Sequence, residues 1–127
     1  DVARPPKLYT QLGNGFAQLS GEDATTLPYL GAGGHGAISV TSNIAPRECA
    51  DMHRAWQAGD IKTAQAINAR LMPVHDAMFC EASPGPVKYA AALMGICEAG
   101  TRLPLCEIAD SSKAQVKAAL TNAGLLG

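Results

Sequence analysis

The sequence predicts an α/β fold with parallel strands over its first part, followed by a purely helical region. Three observations carry this. After an opening helix, residues 1–58 run in the order β-α-β-α, an alternation that argues for parallel strands with covering helices. Residues 59–127 show only helical periodicity. And two strands are too few for a parallel sheet, which is buried on both faces and needs neighbours. Further strands are therefore expected upstream of Asp1, and the chain is expected to be a piece of a longer one. It opens without Met, on an element already under way.

The elements follow in order. Asp1 is suited to cap a first helix, Pro5-Pro6 to its first turn, and Leu8, Tyr9 and Leu12 to its apolar side. Gly13-Asn14-Gly15 ends it. Residues 16–20, FAQLS, read as a short buried strand. After Gly21-Glu22-Asp23, residues 24–32 read as a short helix with Pro28 near its first turn, and residues 33–36 as a glycine turn. Residues 37–41, AISVT, are β-branched at Ile38, Val40 and Thr41 and read as a second strand.

Pro46 opens a helix whose Cys49, Met52 and Trp56 share one face, with Arg47, Asp51 and Arg54 away from it. Gly59 stops that helix and Asp60 caps the next. Ile61, Ala64, Ile67, Leu71, Val74 and Met78 line one side of the latter, with a bend or interruption expected at Pro73. Pro84-Gly85-Pro86 opens a third helix with Val87, Ala90, Ala91 and Met94 apolar, and Leu103-Pro104-Leu105 reads as extended. Ser111 is expected to cap the last helix, which turns Val116, Leu120 and Ala123 inward before Gly124. There is no internal repeat and no low-complexity segment.

Composition removes several function classes. The chain has 127 residues, enough for one modest domain, with 47% apolar and 17% charged residues, a globular balance. A formal charge of −1 leaves no basic excess for a phosphate backbone, so nucleic acid is not an expected partner. Apolar runs are too short to span a membrane, and no signal-peptide pattern opens the chain. Cys49, Cys80, Cys97 and Cys106 form no C-x-x-C pair and no compact disulfide framework; free thiols in a reducing cytosol are expected.

The stretch GAGGHGAISVTSN, residues 31–43, invites comparison with phosphate loops. A dinucleotide fingerprint follows a strand and opens a helix. Here the order is helix, glycines, strand, and no G-K-[ST] ending occurs, so an αβ turn with glycines supplying φ > 0 is the better reading. In parallel α/β folds ligands gather at the C-terminal ends of strands. One such end is Ser20-Gly21-Glu22-Asp23, whose two acids suit a polar substrate. The structural alternative has Asp23 capping the next helix and Glu22 solvated. The other end is 38–43, whose main chain suits a pocket floor, against a plain packed strand.

His53 lies four residues after Cys49 and could share a metal with it, but no third ligand is near in sequence and packing is the expectation. His35 and His75 read as ordinary. There is no G-x-S-x-G and no H-E-x-x-H. Lys88 invites a Schiff-base role, but on a helix of the appendage a surface salt bridge is expected instead.

LSGEDAT at 19–25, GGHGAISVTSNIAP at 33–46, AGDIKTAQAINARLMPVHDAMF at 58–79, and PVKYA with LPL further on resemble the C-terminal half of the dihydrodipicolinate synthase family, over essentially the whole chain. The wider family of pyruvate-dependent class I aldolases includes sialic-acid lyases and keto-acid aldolases. The resemblance implies the last two strands of a TIM (β/α)8 barrel in residues 1–58, a C-terminal helical domain in residues 59–127, and usually a cytoplasmic homotetramer. A barrel of this kind needs roughly 250 residues.

The resemblance further implies an activity. A lysine amine forms an imine with pyruvate, which tautomerises to an enamine and attacks L-aspartate 4-semialdehyde, in lysine (diaminopimelate) biosynthesis. No metal or other cofactor is implied. The imine lysine, with the catalytic tyrosine and threonines, is placed upstream of Asp1, so the isolated chain is expected to be inactive. Ile38 matches the residue whose backbone contacts pyruvate, Gly21 a glycine near the substrate, and Glu22 and Asp23 acids near the second substrate's entrance. The chain departs from the family's E-P-N-P-x-P-V-K: it reads Glu81-Ala82-Ser83-Pro84-Gly85-Pro86-Val87-Lys88, and Ser83 removes an amide near the semialdehyde side. Glu22 replaces a more usual Asp. The alternatives are a relative with the same imine and a different aldehyde, and a non-catalytic helical interaction module.

Overall fold

The computed structural model describes residues 1–126. It contains α1 (Arg4–Leu12), β1 (Leu19–Ser20), α2 (Thr26–Gly31), β2 (Gly36–Ala37), a 3-10 turn (Thr41–Asn43), α3 (Pro46–Gln57), α4 (Ile61–Ala77), α5 (Gly85–Leu93) and α6 (Asp110–Asn122). β1 and β2 pair in parallel across the intervening α2, with Leu19 opposite Gly36 and Ser20 opposite Ala37. The βαβ unit expected from the alternation is therefore present.

Both strands are shorter than expected. Main-chain bonds extend the ladder by one step each way: the His35 amide donates to the Gln18 carbonyl (2.8 Å), and the Ile38 amide to the Ser20 carbonyl (2.8 Å). Beyond Ile38 the chain leaves the sheet and coils into the 3-10 turn, so residues 39–41 are not strand. Nor is residues 16–20 a buried apolar run: Phe16 and Leu19 are exposed, while polar Gln18 and Ser20 are buried.

The turn between α2 and β2 needs two glycines for two reasons. Gly33 takes φ +97°, a left-handed conformation that L side chains resist. Gly34 lies against Tyr29, where a Cβ would meet the ring and come 2.8 Å from the Tyr29 carbonyl oxygen.

Helix ends follow local chemistry in part. Gly13, Gly59 and Gly124 all have φ between 72° and 76° at helix C-termini. The Asp60 carboxylate accepts the Thr63 amide (3.1 Å), capping α4 as expected. Asp1 does not cap α1: the N-cap is Ala3, and the Asp1 carboxylate instead accepts the Ala3 amide (2.9 Å). Tyr9 and Leu12 of α1 are exposed, not packed. α4 runs unbroken through Pro73, so no interruption occurs, and its first apolar residue, Ile61, is exposed. Leu103-Pro104 forms a turn rather than an extended stretch. Ser111 does not cap α6. Its N-cap is Ala109, whose amide donates instead to Glu81 Oε1 (2.9 Å), 28 residues away.

Two apolar clusters hold these elements together. The larger joins α4, α5 and α6 through Val74, Met78, Ala90, Val116 and Leu120, and takes in Ile44 from the segment after β2. The smaller sets Leu27 of α2 and Met52 of α3 against Ala64 of α4. Both clusters therefore join residues from either side of position 58, and they tie the βαβ unit to the helices.

Candidate active site

The C-terminal ends of β1 and β2 lie side by side, because parallel pairing places them so. The loop after β1 is fixed by short-range bonds. Ser20 Oγ accepts the Glu22 amide (3.1 Å) and donates to the Glu22 carbonyl (3.0 Å), and Thr26 Oγ1 donates to that carbonyl as well (2.9 Å). Gly21 is exposed, and apart from its chain neighbours no atom of the described residues lies within 4 Å of where its Cβ would stand. Gly21 and Glu22 border an open groove of about 480 Å3 between α1 and β1. Glu22 is exposed, with Oε1 near the Ala24 amide (3.4 Å).

Asp23 does not take the helix-cap role raised as its structural alternative, the N-cap of α2 being Thr25. Its side chain is 5% exposed, and Oδ2 accepts two amides from across the sheet, Val40 (2.9 Å) and Thr41 (3.0 Å). Thr41, fully buried, in turn has its Oγ1 2.7 Å from His75 Nδ1 on α4. Burial pushes the His75 pKa below its ordinary value, against the opposing pull of Asp23, Asp76 and Glu22.

Ile38, by contrast, is 73% exposed at the end of β2. Its amide is engaged with Ser20, and among the described residues its carbonyl accepts no hydrogen bond. The structure thus sets Ile38, Gly21 and the Asp23 loop on adjacent strand ends. Ile38 and Gly21 face open space; the Asp23 carboxylate is turned into the protein.

Behind Asp23 lies a cavity of about 20 Å3, lined also by Ser39, Cys49, His53 and His75. That is room for about one water molecule. Burial and the Asp23 charge raise the Cys49 thiol to about 11, and burial lowers the His53 pKa. No group of three His, Cys, Asp or Glu suited to a metal occurs among the described residues. All four cysteines are free.

Two histidines read as ordinary have specific partners. His35 Nδ1 accepts the Gln18 amide (2.9 Å), and His75 holds Thr41. Lys88 is half-buried on α5 and joins no ion pair among the described residues, contrary to the surface salt bridge expected of it. No described helix is long and apolar enough to cross a membrane.

A profile of the Dihydrodipicolinate synthetase family matches residues 1–123. The chain belongs to that family. A 4-hydroxy-tetrahydrodipicolinate synthase of Acidiphilium cryptum is 56% identical over 126 residues, which is 99% of this chain and 43% of the relative. One from Gluconacetobacter diazotrophicus is 60% identical over 111 residues, 87% of this chain and 37% of the relative. Among solved structures, dihydrodipicolinate synthase from Aquifex aeolicus superposes with a TM-score of 0.92 at 35% identity, covering 98% of this chain and 43% of that one. The chloride-inhibited enzyme from Acinetobacter baumannii, complexed with pyruvate, gives 0.92 at 36% identity, covering 99% and 43%.

The chain thus spans about two fifths of the length of the family members it matches. Its fold is the C-terminal part of the family's TIM barrel, with the last two strands followed by helices. Family members named here are lyases of lysine (diaminopimelate) biosynthesis.

Proposed function

We propose that this chain forms the C-terminal part of a longer 4-hydroxy-tetrahydrodipicolinate synthase. In that enzyme a lysine amine adds to the pyruvate keto carbon and expels water as the imine forms. Loss of a methyl proton gives the enamine, whose carbon bonds to the aldehyde carbon of L-aspartate 4-semialdehyde as the aldehyde oxygen takes up a proton and the imine re-forms; the semialdehyde's own amine then adds to that imine, closing the ring and expelling the lysine amine. The observation that carries the reading is the exposed end of β2: Ile38 presents an unpaired carbonyl beside Gly21, where ligands gather in parallel α/β folds. Ile38 main chain is assigned to pyruvate, Gly21 to the floor beside it, and the 21–23 loop to the mouth of the site. The reacting lysine belongs to the part of the enzyme before Asp1; Lys88 stands on α5, not at a strand end. Residues 1–58 complete the barrel, and residues 59–127 form the helical domain of a cytoplasmic homotetramer. No cofactor takes part, because the imine itself withdraws the electrons.

Ser83 favours a second reading, a relative with the same imine chemistry and another aldehyde, since it stands where the family motif carries an amide. Borohydride trapping with pyruvate, read by intact mass, tests the shared step. The full-length enzyme is expected to gain a reduced pyruvate adduct and the 127-residue chain alone to gain none. An adduct on Lys88, or none on the full-length enzyme, refutes the proposal. Rates with aspartate semialdehyde against other aldehydes decide between the two readings.

A further inference from the structure

Asp23 is the one acidic side chain fully buried among the described residues. Burying a carboxylate is costly unless hydrogen bonds compensate it, so its partners are informative. They are two consecutive amides, Val40 and Thr41, both received on the same oxygen. Two adjacent amides converging on one atom leave little freedom in the backbone that carries them. The segment is also held at both sides. Upstream, the Ile38 amide donates to the Ser20 carbonyl. Downstream, the Thr41 hydroxyl meets His75.

Only Ser39 separates Ile38 from the anchored amides, and Ile38 is the last residue tied to the sheet, through its amide and not its carbonyl. The ladder does not set where that carbonyl points; local bonds of Ser42 to Ser39 and of Asn43 to Val40 shape the turn that follows, and the carboxylate is what ties that turn back to the loop after β1. The other groups facing the carboxylate come from α2 (Thr26), α3 (Cys49, His53) and α4 (His75), and line the small cavity behind it.

We infer that Asp23 is a positioning residue: through the Val40 and Thr41 amides its carboxylate aims the Ile38 main chain at the bound keto acid, without touching substrate itself. This rests on the assignment of Ile38 to pyruvate above. It places Asp23, grouped by resemblance with the second substrate, on the pyruvate side.

Two substitutions in the full-length enzyme separate geometry from charge. Asp23→Asn keeps an acceptor oxygen in place and loses the charge. Asp23→Glu keeps the charge and displaces the oxygen by one methylene. Initial rates are measured against pyruvate and against the aldehyde, with amide hydrogen exchange at Val40 and Thr41. For Asp23→Glu the expected result is a rise in KM for pyruvate of about tenfold, the size of a lost hydrogen bond to a charged group. Its aldehyde KM stays within about twofold, and the two amides exchange faster. Asp23→Asn, which keeps the acceptor oxygen, is expected to raise pyruvate KM less than Asp23→Glu does and to leave both amides better protected than Asp23→Glu leaves them. An unchanged pyruvate KM in Asp23→Glu, or an aldehyde KM that moves in both variants while pyruvate KM does not, overturns the inference. If wild-type enzyme forms no imine with pyruvate, the proposed function fails instead. Exchange at Val40 and Thr41 then still decides whether Asp23 anchors the segment: faster exchange in Asp23→Glu than in Asp23→Asn supports the anchor, and equal rates refute it.

Discussion

Replacing Gly34 by Ala adds a single methyl group at the most crowded glycine among the described residues. The new Cβ would sit 2.8 Å from the Tyr29 carbonyl oxygen and inside the contact distance of the Tyr29 ring. The ring is buried and the carbonyl is main chain, held by the Gly34 amide at 2.9 Å, so neither yields without moving α2 or the start of β2. Overpacking of this kind costs about 1–3 kcal/mol, and the main-chain obstacle puts Gly34→Ala near the top, at about 3 kcal/mol. Two controls separate crowding from backbone strain. Gly33→Ala meets no atom within 4 Å but must hold φ +97°, a left-handed penalty of about 1–2 kcal/mol. Gly15→Ala has open space and no left-handed φ, and is expected to be neutral or to gain about 0.4–1 kcal/mol through the unfolded chain. Urea denaturation of the full-length protein, with the three variants compared at equal concentration, gives the ranking directly. If Gly34→Ala proves as mild as Gly15→Ala, or milder than Gly33→Ala, the close approach to Tyr29 is not what holds this turn.

Three further outcomes are expected. Leu120→Ala empties a fully buried site where α6 meets α4 and α5, and is expected to cost about 2–5 kcal/mol by calorimetry or denaturant titration; a loss under 1 kcal/mol would mean the cluster is not the core. Timed alkylation read by peptide mass is expected to label exposed Cys97 and Cys106 well before Cys49, whose thiol lies near 11; early labelling of Cys49 refutes its placement. His53 and His75 both have pKa values lowered in the folded state by burial, so below about 6.5 the unfolded chain binds more protons. Their stabilising contribution is therefore full above that pH and is lost as pH falls from there toward the folded values. Stability measured from pH 7.5 to 5 should drop accordingly, and His75→Gln should flatten the slope.

What the sequence tells about this chain depends on how far each contact reaches. Glycines at 13, 33, 59 and 124 and the Asp60 cap are readable because their causes lie within a few residues. Parallel pairing of the strands follows from the helix between them. Strand faces are not readable: Phe16 and Leu19 look like core, yet whether they are buried depends on what packs over them. The same holds for Tyr9, Leu12 and Ile61 at helix surfaces. Asp23 resembles an N-cap because it precedes a helix, but its amide partners lie 17 and 18 residues away. Glu81 reaches 28 residues to Ala109, and His75 reaches 34 to Thr41. The adjacency of Ile38 and Gly21 was accessible, since strand ends in a parallel pair meet. The inward turn of Asp23 between them was not.

The course of the chain after β2 bears on how this protein tolerates change in length. From Ile38 to Ile44 only six residues elapse, and within them the chain passes from an open strand end to a helical core where Ile44 is 1% exposed. Thr41 and Ala45 are sealed as well. One inserted residue here would have to break the pair of amides on Asp23, or pull Ile44 out of its cluster, or rotate Ile38 away from its neighbour. The connection at 95–107 is exposed over most of its length and faces no such choice. Insertions and deletions recovered from a random library should therefore crowd into 95–107 and be missing from 38–45, leaving a stretch of fixed length within an otherwise permissive surface.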